Sequence, residues 1–82
     1  MNQIIHSPEA LGSAIKRQRK LKGLNQKEAG TDFRIEQSTI SSIEQGAAGT
    51  RLETLFRLLA ALDLELIVRP KQTLKHPGKE EW

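Results

Sequence analysis

Residues 24–46, LNQKEAGTDFRIEQSTISSIEQG, decide how this chain folds. Asn25 followed three residues later by Glu28 is a capping pair, a side chain and a carboxylate each placed to satisfy N–H groups that a helix start leaves unpaired. It opens a short helix ending near Phe33. Arg34-Ile35-Glu36 then interrupts the period, and a further helix runs from about Gln37 to Gln45 until Gly46 stops it. Two short helices around so brief a break form a helix-turn-helix pattern, in which the second helix enters the major groove of DNA.

The faces of that second helix are read from its turn angle. At about 100° per residue from Gln37, Ile40 and Ile43 fall at roughly 300° and 240°, while Ser38, Ser41, Ser42 and Gln45 fall between about 40° and 140°. The isoleucines therefore point to a core, and the outward positions are serine or glutamine. In a chain that is 28% charged, a merely solvated face would carry Lys or Glu. Serine is poor for helix stability, and serine and glutamine are well suited to base edges, because glutamine donates and accepts together. Glu44 falls at the edge of the buried face, and Arg19 is its expected partner, in a pair joining the first helix to the reading helix.

Working outward, a first helix opens at Ser7-Pro8, a capping hydroxyl followed by a proline whose missing N–H is not needed. Leu11, Ala14, Ile15, Gln18 and Leu21 recur at helical spacing up to Gly23. A last helix is expected to start from a capping box at Thr50 and Glu53 and to present Leu52, Leu55, Phe56, Leu59 and Leu62. Past Asp63 the period becomes two: Leu64, Leu66 and Val68 alternate with Glu65, Ile67 and Arg69 as far as Pro70, the pattern of one strand. A lone strand leaves its N–H and C=O groups unpaired. The expected solution is the same strand from a second copy, across a two-fold axis; Gln3-Ile4-Ile5 and a frayed extended segment are the alternatives. The sequence thus divides into a domain over 1–70 and a tail over 71–82, KQTLKHPGKEEW, which lacks periodicity and is expected to be disordered.

With 82 residues there is room for one small core, which points away from most enzymes and makes a partner subunit the expected staple. There are no cysteines, and His6 and His76 lie far apart, so no disulfide, metal or cofactor is expected. No nucleophile with its base and no phosphate-cradling glycine loop is present, and the chain is expected not to be an enzyme. The N-terminal MNQIIHSPEA has neither a basic nor an apolar leader region, so the expected location is the cytoplasm. The net charge of +3 is uneven: Lys16, Arg17, Arg19, Lys20, Lys22 and Lys27 place six cations in twelve positions free of Asp and Glu. A solvated helix face would read the same way, but beside an uncharged reading helix these cations suit phosphate, which sets register while base contacts carry sequence.

The stretch Leu24-Asn25-Gln26-Lys27-Glu28, followed by Gln37-Ser38-Thr39-Ile40-Ser41-Ser42-Ile43-Glu44-Gln45-Gly46, resembles the Cro/C1 or Xre-type helix-turn-helix family over roughly residues 11–62. The resemblance implies an all-α, lambda-repressor-like bundle of four or five helices, here with one C-terminal strand pairing across a dimer. It implies that Glu36, Gln37, Ser38 and Ser42 read bases on double-stranded operator DNA. Phosphate contacts are expected from Arg17, Gln26, Lys27, Arg34, Thr39, Ser41 and Gln45. The two ends, Ser7-Pro8 ahead of the first helix and a strand then a tail closing on Glu81-Trp82, look like HipB-type antitoxins. That likeness implies a homodimeric, nucleoid-associated repressor that autoregulates a toxin-antitoxin operon. Leu64, Leu66 and Val68 would form the dimer strand, and Trp82 would anchor a HipA-like serine/threonine kinase, with or without a third protein. A phage-type or general Xre-family regulator without a toxin partner is the alternative within the class, and a purely protein-binding module the alternative outside it. The chain departs from the family at Ala29 and Gly30, where Leu and Ala are usual, at Arg34, where the turn usually has Gly, and at the acidic Glu36.

Overall fold

The computed structural model describes residues 2–71 and contains four helices among them: α1 (Pro8–Leu21), α2 (Gln26–Thr31), α3 (Gln37–Glu44) and α4 (Leu52–Ala61). Local chemistry sets most of their ends. Ser7 Oγ accepts from the Ala10 N–H at 3.0 Å, with Pro8 in the first turn of α1. The box opening α2 is complete, the Glu28 N–H donating to Asn25 Oδ1 at 2.7 Å and the Asn25 N–H donating to Glu28 Oε1 at 2.8 Å. At the end of α3 the Ala47 N–H reaches back to the Ser42 carbonyl at 3.0 Å, a closure made possible by Gly46 at φ 92°.

The capping box expected at the start of α4 does not form. Arg51 occupies the cap position with no side-chain bond; Thr50 Oγ1 donates instead to the Ala47 carbonyl at 3.1 Å, and Glu53 pairs along the helix with Arg57 at 3.3 Å. Thr50 is drawn back to close the loop after α3, so it is not free to serve the helix ahead.

Ile15, Ile40, Leu58 and Leu62 are fully buried, and with Ala29, Ile35, Ile43 and Leu59 they form the core; Leu11, Leu24, Leu55 and Leu64 pack against it. Ile35 belongs to the break between α2 and α3, so the turn itself is pinned by burial of about 1.5–3 kcal/mol per such side chain. Two apolar patterns resolve differently from expectation. Leu21 is 74% exposed because α1 buries the stripe Gly12, Ile15 and Arg19, and Leu21 lies on the opposite side of the helix. On α4 the buried stripe is Leu58, Leu59 and Leu62 with Leu55 beside it, which leaves Phe56 half-exposed, more than a quarter turn away. Leu52 is 69% exposed in the first turn, where a side chain leans past the helix end.

α1 crosses the end of α3 at Gly12. A Cβ there would run into the Ile43 carbonyl oxygen and stand 2.7 Å from that of Glu44. The two backbones meet where only hydrogen fits.

The strand expected at 64–69 is not formed within the chain. Leu64 is half-buried and its N–H donates to the Leu59 carbonyl at 2.8 Å, but residues 65–70 are exposed and have no regular secondary structure. A strand exists only with a partner, and the Gln3–Ile5 piece does not supply one. The departure from α4 is nevertheless held: Asp63 takes φ 59°, Gln18 Nε2 donates to the Leu62 carbonyl at 3.0 Å, and Lys22 Nζ meets Asp63 Oδ2 at 2.7 Å. The expected tail beyond residue 71, with its anchor Trp82, lies outside the described residues.

Candidate nucleic-acid interface

α3 turns Gln37, Ser38, Ser42 and Gln45 to solvent and buries Ile40, Ile43 and Glu44, as its periodicity predicts. Glu36 stands exposed just ahead of the helix, at its cap position, without a cap bond. Thr39 and Ser41 are half-buried flanking positions, and Gln45 Nε2 donates to Ser41 Oγ at 3.2 Å across one turn. The outward surface of α3 carries no charged side chain after Glu36, and its amides and hydroxyls offer both donors and acceptors.

The turn brings further expected residues alongside. Lys27, Thr31, Arg34, Glu36 and Gln37 line one open groove between α2 and the start of α3, which places two cations in the same groove as Gln37. Arg34 reaches this groove from a left-handed backbone, φ 57°, where a non-glycine residue is strained by about 1–3 kcal/mol. Arg17 is not part of that groove. It lines a separate one on the outer face of α1 with Ser13, Lys16, Lys20 and Leu21.

Not all six clustered cations are available to an outside anion. Arg19 is buried, and its guanidinium clasps Glu44: Nε to Oε2 at 2.6 Å and Nη2 to Oε1 at 2.9 Å, with Nη1 donating to the Leu24 carbonyl at 2.9 Å. Lys22 meets Asp63. The field facing outward therefore comes from Lys16, Arg17, Lys20 and Lys27.

The expected Arg19 and Glu44 pair is thus formed, and it recruits a residue that sequence reasoning placed elsewhere. Gln26 Nε2 donates to Glu44 Oε1 at 3.1 Å. The spacing of 18 residues offers no local signal for this contact; only the approach of α2 to the end of α3 creates it. Burial pushes the Glu44 carboxyl up, but the hydrogen bonds from Arg19 and Gln26 and the charges of Arg19 and Lys16 outweigh it and hold the group below the ordinary glutamate value. The hydrogen bond to Glu44 raises Arg19 in turn, against its own desolvation.

Residues 15–68 match the Helix-turn-helix family. Antitoxin HipB of Escherichia coli strain K12 is 38% identical over 64 residues, covering 78% of this chain and 73% of the relative. The chain belongs to the helix-turn-helix family of HipB antitoxins. The HipB of Escherichia coli O6:H1 strain CFT073 is likewise 38% identical over 64 residues, with 68% of its length covered. Among solved structures, the fold is shared with a HipA-HipB-O2-O3 complex and with a HipB-O4 20mer complex. Each gives a TM-score of 0.81 at 34% identity over 87% of this chain and 100% of that one. No helix among the described residues is long and apolar enough to cross a membrane.

Proposed function

We propose that this HipB-family chain is a sequence-specific DNA-binding repressor and the antitoxin of a HipA-like kinase, autoregulating their shared operon as a dimer in the cytoplasm, in association with the nucleoid. The observation that carries this reading is α3: an exposed surface of uncharged hydrogen-bonding side chains beginning at Gln37, which shares a groove with Lys27 and Arg34. Support comes from relatives solved with operator DNA and with HipA on the same fold. In this reading Gln37, Ser38 and Ser42 contact base edges, Glu36 accepts from a cytosine amine at the groove edge, and Arg17, Gln26, Lys27, Arg34, Thr39, Ser41 and Gln45 hold phosphates. Residues 1–70 form the DNA-binding and dimerising body. Trp82, at the end of the tail 71–82, docks in the kinase.

Two substitutions test the groove assignment. Gln37→Ala is expected to cost roughly 1–3 kcal/mol at one base pair and to relax specificity there, whereas Lys27→Ala is expected to weaken all sequences alike and flatten the salt dependence. Fluorescence anisotropy with selected and random duplexes reads both; identical behaviour of the two variants on the two DNAs would remove the assignment. Deleting residues 71–82 is expected to leave duplex binding intact and to weaken binding to the kinase.

A further inference from the structure

Gln26 opens α2 on the protein surface, yet its amide is tied to a carboxylate whose side chain is only 3% exposed. A carboxylate is acceptor-only, so the amide meets Glu44 nitrogen-first, and the flip open to a free glutamine is closed. Arg19 holds both oxygens of that carboxylate and also grips the Leu24 carbonyl, two residues ahead of Gln26. The amide is therefore braced from the side chain and from the chain leading into it. Nε2 carries a second N–H that the bond to Glu44 does not use. Glu44 is at the same time the last residue of α3, the helix whose other side carries Gln37, Ser38 and Ser42.

We propose that Glu44 is a positioning residue for DNA recognition: it presents the Gln26 amide nitrogen-first to a backbone phosphate, in fixed register with the base-reading side chains of its own helix. This rests on the DNA-binding reading above. Freezing the glutamine rotors during folding removes that ordering cost from the binding step, an effect of roughly threefold to tenfold in affinity for one long side chain. The ion pair thus does more than join α1 to α3; it sets the phosphate grip and the reading face as one rigid unit.

The test removes the carboxylate without stranding a buried charge. Arg19→Met combined with Glu44→Leu replaces the pair by apolar side chains, a change that leaves folds intact in other proteins. On a duplex selected by the wild-type protein from a random pool, this variant is expected to bind roughly threefold to tenfold more weakly at an unchanged thermal midpoint. Gln26→Ala is expected to cost more in the wild type than in the paired variant, by about that factor. Equal losses from Gln26→Ala in both backgrounds would overturn the proposal, since a purely structural pair would give that result. Nuclear magnetic resonance of the free wild-type protein tests the hold of Glu44 on the Gln26 amide, on which the proposal depends, if the paired variant does not fold. One Gln26 side-chain amide proton is expected to be shifted downfield and protected, and the pair to move as Glu44 titrates in acid; an amide pair with free-solvent shifts and no titration would overturn the positioning role. A wild-type protein that selects no duplex from the pool would instead count against DNA binding itself, with the amide signature still readable.

Discussion

Gly30 in α2 lies directly against the backbone carbonyl of Ile35, so closely that a Cβ at residue 30 would overlap that oxygen and stand 2.9 Å from Ile40 Cδ1. The same two residues are joined by a hydrogen bond from the Ile35 N–H to the Gly30 carbonyl at 3.0 Å. Glycine inside a helix ordinarily costs about 1 kcal/mol relative to alanine. Here it is what lets the turn fold back onto α2 and seat Ile35 in the core.

Gly30→Ala is accordingly expected to destabilise the domain by about 1–3 kcal/mol, although it improves helix propensity. Urea unfolding reads the sign. A stabilised variant would mean that the turn has room to retreat from α2.

Arg34→Gly is expected to act in opposite directions on stability and on DNA. Relief of the left-handed strain at φ 57° is worth on the order of 1 kcal/mol, offset in part by the greater freedom of glycine in the unfolded chain. Loss of the cation is expected to weaken duplex binding at low salt most strongly. Chemical denaturation and anisotropy on the same sample separate the two effects.

Removing one member of the buried pair is expected to be severe. Glu44→Ala leaves the Arg19 guanidinium buried without its carboxylate, a loss of about 3–5 kcal/mol and a large share of what so small a domain has. The pH dependence follows from the depressed Glu44 carboxyl. The unfolded chain binds the proton more readily, so the contribution of Glu44 is complete above the ordinary glutamate range and is lost as pH falls through the lower folded value. Denaturation midpoints measured from neutral pH into acid are expected to decline, with a shallower decline in the Arg19→Met, Glu44→Leu variant.

Leu66→Pro is expected to convert a dimer to monomers. Residues 65–70 leave α4 exposed and without ladder partners, Leu66 at 53% and Val68 at 90% accessibility, and proline removes a donor that paired strands need. Analytical ultracentrifugation reports the outcome; a dimer that survives would move the interface to another surface, of which the exposed Leu52 and Phe56 on α4 are the apolar candidates.

Helix positions were legible from local chemistry. Ser7 before Pro8, Asn25 with Glu28, and Gly46 after Gln45 act within a few residues of themselves, and each sits where its pattern places it. Thr50 with Glu53 carries the same pattern and does not act on it, because a carbonyl in the preceding loop competes for the hydroxyl. The outward serines and glutamines of α3 were also legible, since Ile40 and Ile43 settle which side faces the core.

Of the contacts between helices, the Arg19 and Glu44 pair was legible from helix faces, and most others were not. Leu21 and Phe56 continue apolar patterns yet face water, because the width of a buried stripe depends on which neighbours cover it. Arg19 meets Glu44 as its position on the helix face predicts, but nothing in the charge run marks Lys22 as the cation that turns to Asp63. The identity of the motif is written in short-range caps and periods, which act within a turn or two of chain. The inward hold on Gln26, the glycine contacts at Gly12 and Gly30 and the strain at Arg34 arise only when residues distant along the chain are pressed together in a packed core, where excluded volume and the need to pair every buried charge leave one arrangement.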